Sequence, residues 1–143
     1  ICLAAEGGEH TKLDADFTGK TFKRIDQSIA MGALFTAYHL GAKAIVAMTD
    51  SGSTALWMSR HLVHVPIYAL TPKVSTQRKM TLYRNVRPLL MGSSSDRDTA
   101  LLDAEKHLKT RGIVQKGEIY AITCGEPMGA PGGTNMLKIC AVN

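Results

Sequence analysis

Apolar residues near the start of the chain recur at intervals of three and four, and a continuous apolar run follows them. The spaced residues predict the buried stripe of a first helix, which Gly41 ends by adopting a left-handed conformation. The members of this stripe are Phe22, Ile25, Ile29, Ala33, Thr36, Ala37 and Leu40. The apolar run from Ala44 to Thr49 predicts a strand that is covered on both faces.

Helix patterns and strand patterns continue to alternate through the middle of the chain. It predicts a second helix over about 53–63, a strand at 66–71 and a third helix over 74–84. A third strand at 86–92 contains Pro88, which has no N–H to donate to a neighbouring strand. We therefore expect Pro88 near the end of that strand or near the edge of the sheet.

Residues 93–112 carry the clearest signal for a helix. Hydroxyl and acidic residues with capping-box spacing stand at its start, and cations and a glycine stand at its end. These residues are Ser93, Ser95, Asp96, Asp98, Lys109, Arg111 and Gly112. A fourth strand at 118–124 and a last strand at 136–142 follow, and a glycine-rich loop without a helix joins them.

Three strand–helix units followed by two strands indicate the α/β class, because this alternation builds a mainly parallel sheet. The connection between the last two strands holds no helix, so the last strand is expected to run antiparallel to its neighbour. We therefore predict a three-layer sandwich. Its sheet is five-stranded and mostly parallel with the last strand antiparallel, and helices cover both faces.

Composition narrows the class of protein further. The 143 residues are 45% hydrophobic and 20% charged, which fits one ordinary domain with its own core. No apolar run approaches the length of a membrane span, so no membrane association is expected. The formal net charge is +5, but Lys and Arg are scattered and aromatic residues are few, so no nucleic-acid partner is expected. Three cysteines without metal or redox spacing favour a cytoplasmic setting.

The turn between the first strand and the second helix is the main candidate for a binding site. It consists of Thr49, Asp50, Ser51, Gly52, Ser53 and Thr54, at the edge where parallel sheets bind ligands. Gly52 permits a sharp turn, and the hydroxyls and the first amides of the helix could cradle a phosphate. The alternative is a plain helix cap and tight turn, which the spacing alone favours. Asp50 also opposes an anion site, because its carboxylate repels a negative ligand.

Other candidate chemistry is weaker. His61 and His64 have the spacing of two metal ligands but no acidic or cysteine residue near them in sequence, so surface or interface histidines are favoured. Cys124 is either a reactive thiol or a small buried residue, and the second interpretation is favoured. The residues form no persuasive acid–base pair or triad, so no catalytic residue and no metal site are predicted in this chain.

Three separated stretches resemble the carboxyl-terminal regulatory domain of pyruvate kinases. The family patterns are Thr-x-Ser-Gly-Arg/Lys-Ser/Thr-Ala, Pro-Ile-Ile/Phe-Ala-x-Thr/Ser and Leu-Tyr-Arg-Gly-Val-x-Pro. This chain has their counterparts at 49–55, 66–71 and 82–88. The tail from 109 to 139 is similar to the last glycine-rich part of the family. The likeness covers essentially the whole chain, and it is to the bacterial type.

The resemblance implies that the chain is part of a larger enzyme. Residues 1–17 look like the end of the preceding barrel helix and a linker, and residues 18–143 look like the regulatory domain. The family transfers a phosphoryl group from phosphoenolpyruvate to ADP, giving pyruvate and ATP, with Mg²⁺ and K⁺ held in the barrel. On this resemblance the chain itself holds no cofactor, contacts the catalytic barrel of the same protein and joins a homotetramer.

The resemblance also implies an effector site. The turn Thr49–Thr54 would bind a phosphate, and a glycine-rich loop would close over the rest of the ligand. The residues of that loop are Gly125, Glu126, Pro127, Met128, Gly129, Ala130, Pro131, Gly132 and Gly133.

Three departures from the family pattern change the expected effector. Ser53 stands where the family usually has a basic residue, Asp50 where some members have Lys, and Ala100 where members that respond to fructose 1,6-bisphosphate have Arg. A sugar monophosphate or a nucleoside monophosphate is therefore expected instead. The candidate auxiliary cations are Arg60, Lys73 and Arg78. Two alternatives stay open: a stand-alone small-molecule-binding domain, and an assembly module in which the turn is only a helix cap.

Overall fold

The computed structural model describes residues 21–94, 96–129 and 132–143. The predicted helix end and linker at 1–17 lie outside the described residues, and so do Ser95, Ala130 and Pro131. The helices are α1 (Ile25–Leu40), α2 (Ser53–Ser59), α3 (Val74–Met80) and α4 (Arg97–Thr110). The strands are β1 (Ala44–Met48), β2 (Ile67–Thr71), β3 (Val86–Leu90), β4 (Ile119–Gly125) and β5 (Thr134–Ala141).

The strands form one five-stranded sheet in the order β3-β2-β1-β4-β5. β1 pairs in parallel with β2 and with β4, β2 pairs in parallel with β3, and β4 pairs antiparallel with β5. This confirms the predicted α/β class and the antiparallel last strand. The chain moves to one side of β1 for β2 and β3 and returns on the other side for β4. The carboxyl ends of β1 and β4 therefore border a switch point, where open α/β sheets bind ligands.

Two apolar cores lie on opposite faces of the sheet, as three layers require. α1, α2 and α3 cover one face, where Leu34, Met58 and Met80 are fully buried. α4 covers the other face with Ala100 and Leu108, which are also fully buried. The central strand β1 is buried along its whole length. Each large apolar side chain buried in this way contributes about 1.5–3 kcal/mol to stability.

The buried face of α1 differs from the predicted stripe. Its buried residues include Asp26, Ala33 and Ala37, whereas Ile25 is 69% exposed and Leu40 is 50% exposed. The prediction is correct for the two alanines and wrong for Ile25 and Leu40. The buried residues follow one another at intervals of three and four from Asp26, so Ile25 is one residue out of phase and points away from the core.

α2 and α3 both end earlier than predicted. Ser59 Oγ donates a hydrogen bond of 2.7 Å to the carbonyl oxygen of Leu56, and Thr81 Oγ1 donates one of 2.6 Å to that of Arg78. Each hydroxyl thus bonds a carbonyl three residues earlier and competes with continuation of the helical ladder. Apolar periodicity does not register this competition, so it predicts helices that are too long.

α4 begins at an aspartate cap. Asp96 Oδ2 accepts a hydrogen bond of 3.0 Å from the Thr99 N–H, and the hydrogen bonds from Thr99 hold the pKa of Asp96 below its usual value. The predicted cap at Ser93 is wrong, because Ser93 is exposed and lies three residues before the capping position. Gly112 has φ 72° just beyond the helix, which confirms the predicted glycine stop.

β3 lies at one edge of the sheet, which confirms the expected position of Pro88. Asn85 precedes this strand with φ 59°, and its side-chain amide donates to the carbonyl oxygens of Val63 and Val65 at 3.0 and 2.9 Å. Asn is among the few residues with a side chain that tolerate this left-handed conformation. It therefore fits the position where the family pattern has glycine.

Candidate functional site

The turn from Thr49 to Thr54 joins the carboxyl end of β1 to α2, at the switch point of the sheet. Gly52 has φ 84°, a left-handed conformation that residues with a side chain rarely adopt. A Cβ atom at this position would lie 3.2 Å from Cγ of Met80. The turn therefore requires glycine, and it packs directly on α3.

Two backbone amides of the turn already have acceptors. The Gly52 N–H donates to Thr49 Oγ1 at 2.8 Å, and the Ser53 N–H donates to Ser51 Oγ at 3.3 Å. The sequence predicts amides that are open to a ligand, whereas hydroxyls of the same turn close these two. A phosphate reaches these two amides only if the Thr49 and Ser51 hydroxyls rotate away from them. Each amide then exchanges a neutral hydroxyl acceptor for a charged phosphate oxygen, which is a stronger acceptor.

α3 places a cation at the turn. Thr76 Oγ1 donates to the carbonyl oxygen of Asp50 at 2.6 Å, and Lys79 Nζ donates to that of Ser51 at 2.6 Å. Thr76 and Lys79 lie on the same side of α3, because residues three positions apart do so. That spacing from the buried Thr76 is the sequence signal by which Lys79 is recognisable as a cation facing the turn.

The three predicted auxiliary cations lie elsewhere on the helices. Arg60 caps the far end of α2, about 10 Å along the axis from its start. Its guanidinium stacks 4.7 Å from the ring centroid of Trp57. Arg78 precedes Lys79 in α3 and is rotated from it by about 100° around the helix. Lys73 is exposed at the N-terminal end of α3. The cation that α3 brings to the turn is thus Lys79.

A second cation, Arg24, reaches the turn from the start of α1. Its guanidinium forms a salt bridge of 2.8 Å with Asp26, whose side chain is 2% exposed. Ser53 Oγ donates to the same carboxylate oxygen, Oδ2, at 3.3 Å. No local pattern predicts this contact, because Asp26 and Ser53 are 27 residues apart and meet only where α1 packs beside α2.

The glycine-rich loop Gly125–Gly133 leads from β4 to β5. Asn135 Oδ1 accepts from the Glu126 N–H at 2.9 Å, and Asn135 Nδ2 donates to the Glu126 carbonyl oxygen at 2.9 Å. A Cβ atom on Gly125 would lie 2.6 Å from the carbonyl oxygen of Gly133. The two ends of the loop therefore approach too closely for any side chain at Gly125.

The turn contacts the start of β5 and lies beside the loop. Thr54 Oγ1 donates to Thr134 Oγ1 at 2.8 Å, and both side chains are buried. A Cβ atom on Gly129 would lie 3.9 Å from Oδ2 of Asp50, so this carboxylate faces the loop. The two segments that the sequence singles out for effector binding thus meet at the switch point.

A crevice with a cavity volume of about 70 Å³ lies between the turn, the loop and the carboxyl ends of the strands. Its walls include the apolar side chains of Met48, Leu70, Met91 and Met128. Of the described residues that line it, Asp50 alone carries a charge. This volume is below the roughly 300–1,000 Å³ of small-molecule pockets, so a ligand has to widen the crevice. Apolar walls with a single carboxylate suit the uncharged part of a ligand, whereas an anionic group is better placed beside the cations at the turn.

The remaining candidate residues add no further site. Cys124 is fully buried and burial raises the pKa of its thiol, which confirms a packing residue over a reactive one. Ala100 is buried in the core beneath α4. Across 21–94, 96–129 and 132–143, no three His, Cys, Asp or Glu residues come together to hold a metal ion. None of the described helices combines the length and apolar character needed to cross a membrane.

Fold and site together define a small, open α/β domain with a crevice at its switch point. The chain matches the family described as "Pyruvate kinase, alpha/beta domain" over residues 27–140, and it belongs to that family. This confirms the resemblance on which the effector site was predicted.

Bacterial relatives match nearly the whole chain. It is 35% identical over 143 residues to a protein named "Pyruvate kinase" from Buchnera aphidicola subsp. Baizongia pistaciae, a match that covers 99% of this chain and 30% of that protein. It is 34% identical, with the same coverage, to "Pyruvate kinase II" of Salmonella typhimurium. It is 35% identical over 140 residues to "Pyruvate kinase" of Staphylococcus aureus (strain USA300), covering 97% of this chain and 24% of that protein. The chain thus spans less than a third of the length of these relatives.

Proposed function

We propose that the chain is the regulatory domain of a pyruvate kinase, which transfers a phosphoryl group from phosphoenolpyruvate to ADP and forms pyruvate and ATP. The domain binds a phosphorylated effector, contacts the catalytic barrel of the same protein and contributes to a cytoplasmic homotetramer. One observation carries this proposal: the turn Thr49–Thr54, the loop Gly125–Gly133 and the ammonium of Lys79 meet at the switch point of the sheet. The match of the chain to pyruvate kinases over its length supports it.

The distribution of charge favours an effector with one phosphate. The ammonium of Lys79 lies at the turn, where it binds a phosphate by charge-assisted hydrogen bonds. The Ser51 hydroxyl adds a donor when it turns from Ser53 to the phosphate. The uncharged part of the ligand, a sugar or a nucleoside, then occupies the apolar crevice. A second phosphate would meet the Asp50 carboxylate, and Ala100 supplies no cation to bind it. A sugar monophosphate or a nucleoside monophosphate is therefore the proposed effector class.

Regulation follows if the effector binds one state of the tetramer better than another. The loop Gly125–Gly133 provides the lever, because it lies beside the turn on one side and continues into β5 on the other. Closing it over the ligand favours the state in which the loop is ordered. Coupling free energies of this kind are typically about 1–3 kcal/mol, or 5- to 150-fold in affinity.

Mg²⁺ and K⁺ belong, on the family resemblance, to the catalytic barrel. The described residues of this chain offer no cluster of metal ligands. We therefore expect the chain alone to show no turnover of phosphoenolpyruvate. Turnover by the chain alone would contradict the proposed regulatory role.

Thermal unfolding tests effector binding in the full-length protein. Ribose 5-phosphate, glucose 6-phosphate and AMP are added at millimolar concentration, and at least one is expected to raise Tm. Gly52→Val should abolish this rise, because valine strains the backbone at φ 84° and crowds Met80. Gly112→Val is the matched control, since it strains a glycine at φ 72° that has open space around it and lies outside the turn and loop. A protein whose Tm responds to none of the three ligands would favour the assembly module instead.

A further inference from the structure

The turn carries no cation of its own, yet a guanidinium lies between it and the loop. Arg24 immediately precedes α1, and its side chain is 53% exposed. A Cβ atom on Gly132 would lie 3.0 Å from Nη2 of Arg24, so the guanidinium lies against the loop. A ligand that enters between the turn and the loop can therefore contact Arg24 directly.

Asp26 fixes the orientation of this guanidinium. Arg24 Nε donates to Oδ1 of Asp26 at 3.0 Å, and Nη2 donates to Oδ2 at 2.8 Å. The Gln27 N–H donates to Oδ1 at 2.9 Å, and Ser53 Oγ donates to Oδ2 at 3.3 Å. Four hydrogen bonds fill the acceptor capacity of a carboxylate. Asp26 is thus saturated and its charge is balanced, so it holds Arg24 in place and leaves ligand binding to the guanidinium.

Part of the guanidinium has no acceptor among the described residues. Of its five N–H groups, two engage Asp26, and no described residue accepts a hydrogen bond from the others. Arg24 Nη2 and Ser53 Oγ contact the same oxygen of Asp26, so an oxyanion that lies beside Ser53 at the turn is near the remaining guanidinium donors. A planar guanidinium presents paired N–H groups that match the geometry of a phosphate.

We propose that Arg24 is a second phosphate-binding cation of this site, beside Lys79, and that Asp26 is its positioning residue, for a ligand that carries a phosphate monoester. This inference rests on the proposed effector site and names a residue that binds the phosphate there. Ser53 fits the arrangement, because a Lys or Arg in its place would bring a second cation to Asp26 and compete with Arg24. Arg24, at the N-cap of α1, thus adds to Lys79 a cation that the turn itself lacks.

Calorimetric titration of the full-length protein with ribose 5-phosphate and with AMP tests the role of Arg24. The double variant Arg24→Gln/Asp26→Asn replaces the ion pair by a neutral amide pair and leaves no unpaired buried charge, so the fold is retained. It is expected to bind either ligand at least tenfold more weakly. Arg60→Gln removes the same charge at the far end of α2 and is expected to leave the affinity unchanged.

Two further variants test the positioning role of Asp26. Asp26→Asn alone is expected to weaken binding, and to have no further effect when Arg24 is already Gln, because Asp26 acts through Arg24. Arg24→Lys keeps the charge but not the planar pair of donors. It should therefore bind the ligand more tightly than Arg24→Gln but more weakly than the unmodified protein. A loss that is the same with and without Arg24 would overturn the positioning role.

The outcomes separate this inference from the one on which it rests. If the unmodified protein binds one of the ligands and the double variant binds it equally well, Arg24 is not a binding cation. An equal loss in Arg60→Gln would reveal a general effect of net charge and would also overturn the assignment. If the unmodified protein binds neither ligand, the inference and the proposed effector site fall together.

Discussion

The buried hydroxyl pair Thr54–Thr134 allows a quantitative test of how α2 is held to β5. The two Oγ1 atoms are 2.8 Å apart, and the side chains are 0% and 6% exposed. Replacing either threonine by valine keeps the shape of the side chain and removes one hydroxyl. The other hydroxyl then stays buried without its partner, and it lies where water does not easily replace the lost bond.

The expected free energies of unfolding follow from this geometry. Each single variant, Thr54→Val or Thr134→Val, should lose about 1–3 kcal/mol, because a buried polar group is left unsatisfied. The double variant leaves no unpaired hydroxyl and should lose less than about 1 kcal/mol. Urea unfolding gives the free energy of unfolding of the unmodified protein, the two single variants and the double variant. For a chain of this size, a change of 1 kcal/mol corresponds to about 3 °C in Tm.

A double-mutant cycle of Thr54→Val and Thr134→Val tests whether the two hydroxyls interact. If the double variant loses the sum of the two single losses, the hydroxyls do not depend on each other and the pair does not link α2 to β5. Thr81→Val is the control, because its hydroxyl is exposed and bonds a carbonyl within the same turn of chain. It should change the free energy of unfolding by less than about 0.5 kcal/mol.

Two further predictions concern the ends of the elements. Asn85→Ala should lose about 1–2 kcal/mol of unfolding free energy, because alanine is strained at φ 59° and both amide hydrogen bonds disappear, whereas Asn85→Gly should lose less because glycine relieves the strain. A lower free energy of unfolding for Asn85→Gly than for Asn85→Ala, measured by urea unfolding, would contradict this prediction. Because the pKa of Asp96 is lowered in the folded state, its stabilisation is complete above the ordinary carboxyl pKa and is lost as pH falls through the lowered value. The difference in unfolding free energy between the unmodified protein and Asp96→Asn should therefore narrow below about pH 4, and a constant difference would rule out the charged cap.

Patterns among residues that are close in sequence predict the parts of the fold that depend on local interactions. The apolar run of β1, the glycine that ends α1 and the edge position of Pro88 are all confirmed. The errors lie where other contacts compete with the pattern. The Ser59 and Thr81 hydroxyls accompany early helix ends, and the buried face of α1 follows from small residues that the large apolar ones mask in the sequence.

The candidate site divides in the same way. The turn and the loop are recognisable as motifs, and the structure brings them side by side. The cations are harder to predict, since a basic residue near a motif in sequence need not be near it in space. Lys79 is three positions from Thr76, which contacts the turn, and this spacing identifies it. Arg24 has no such local signal.

The sequence by itself determined which segments of this protein form turns, strands and helices. Through them it also determined the α/β class, the family and the place where a ligand is expected. These properties depend on residues a few positions apart, so they are legible along the chain. Only the tertiary structure decided which charges surround that place, bringing Arg24 and Asp26 beside Ser53 and leaving Asp50 to face the crevice. The physical reason is that electrostatic partners are set by distance in space, and that distance is fixed only when α1, α2 and the loop pack on the sheet.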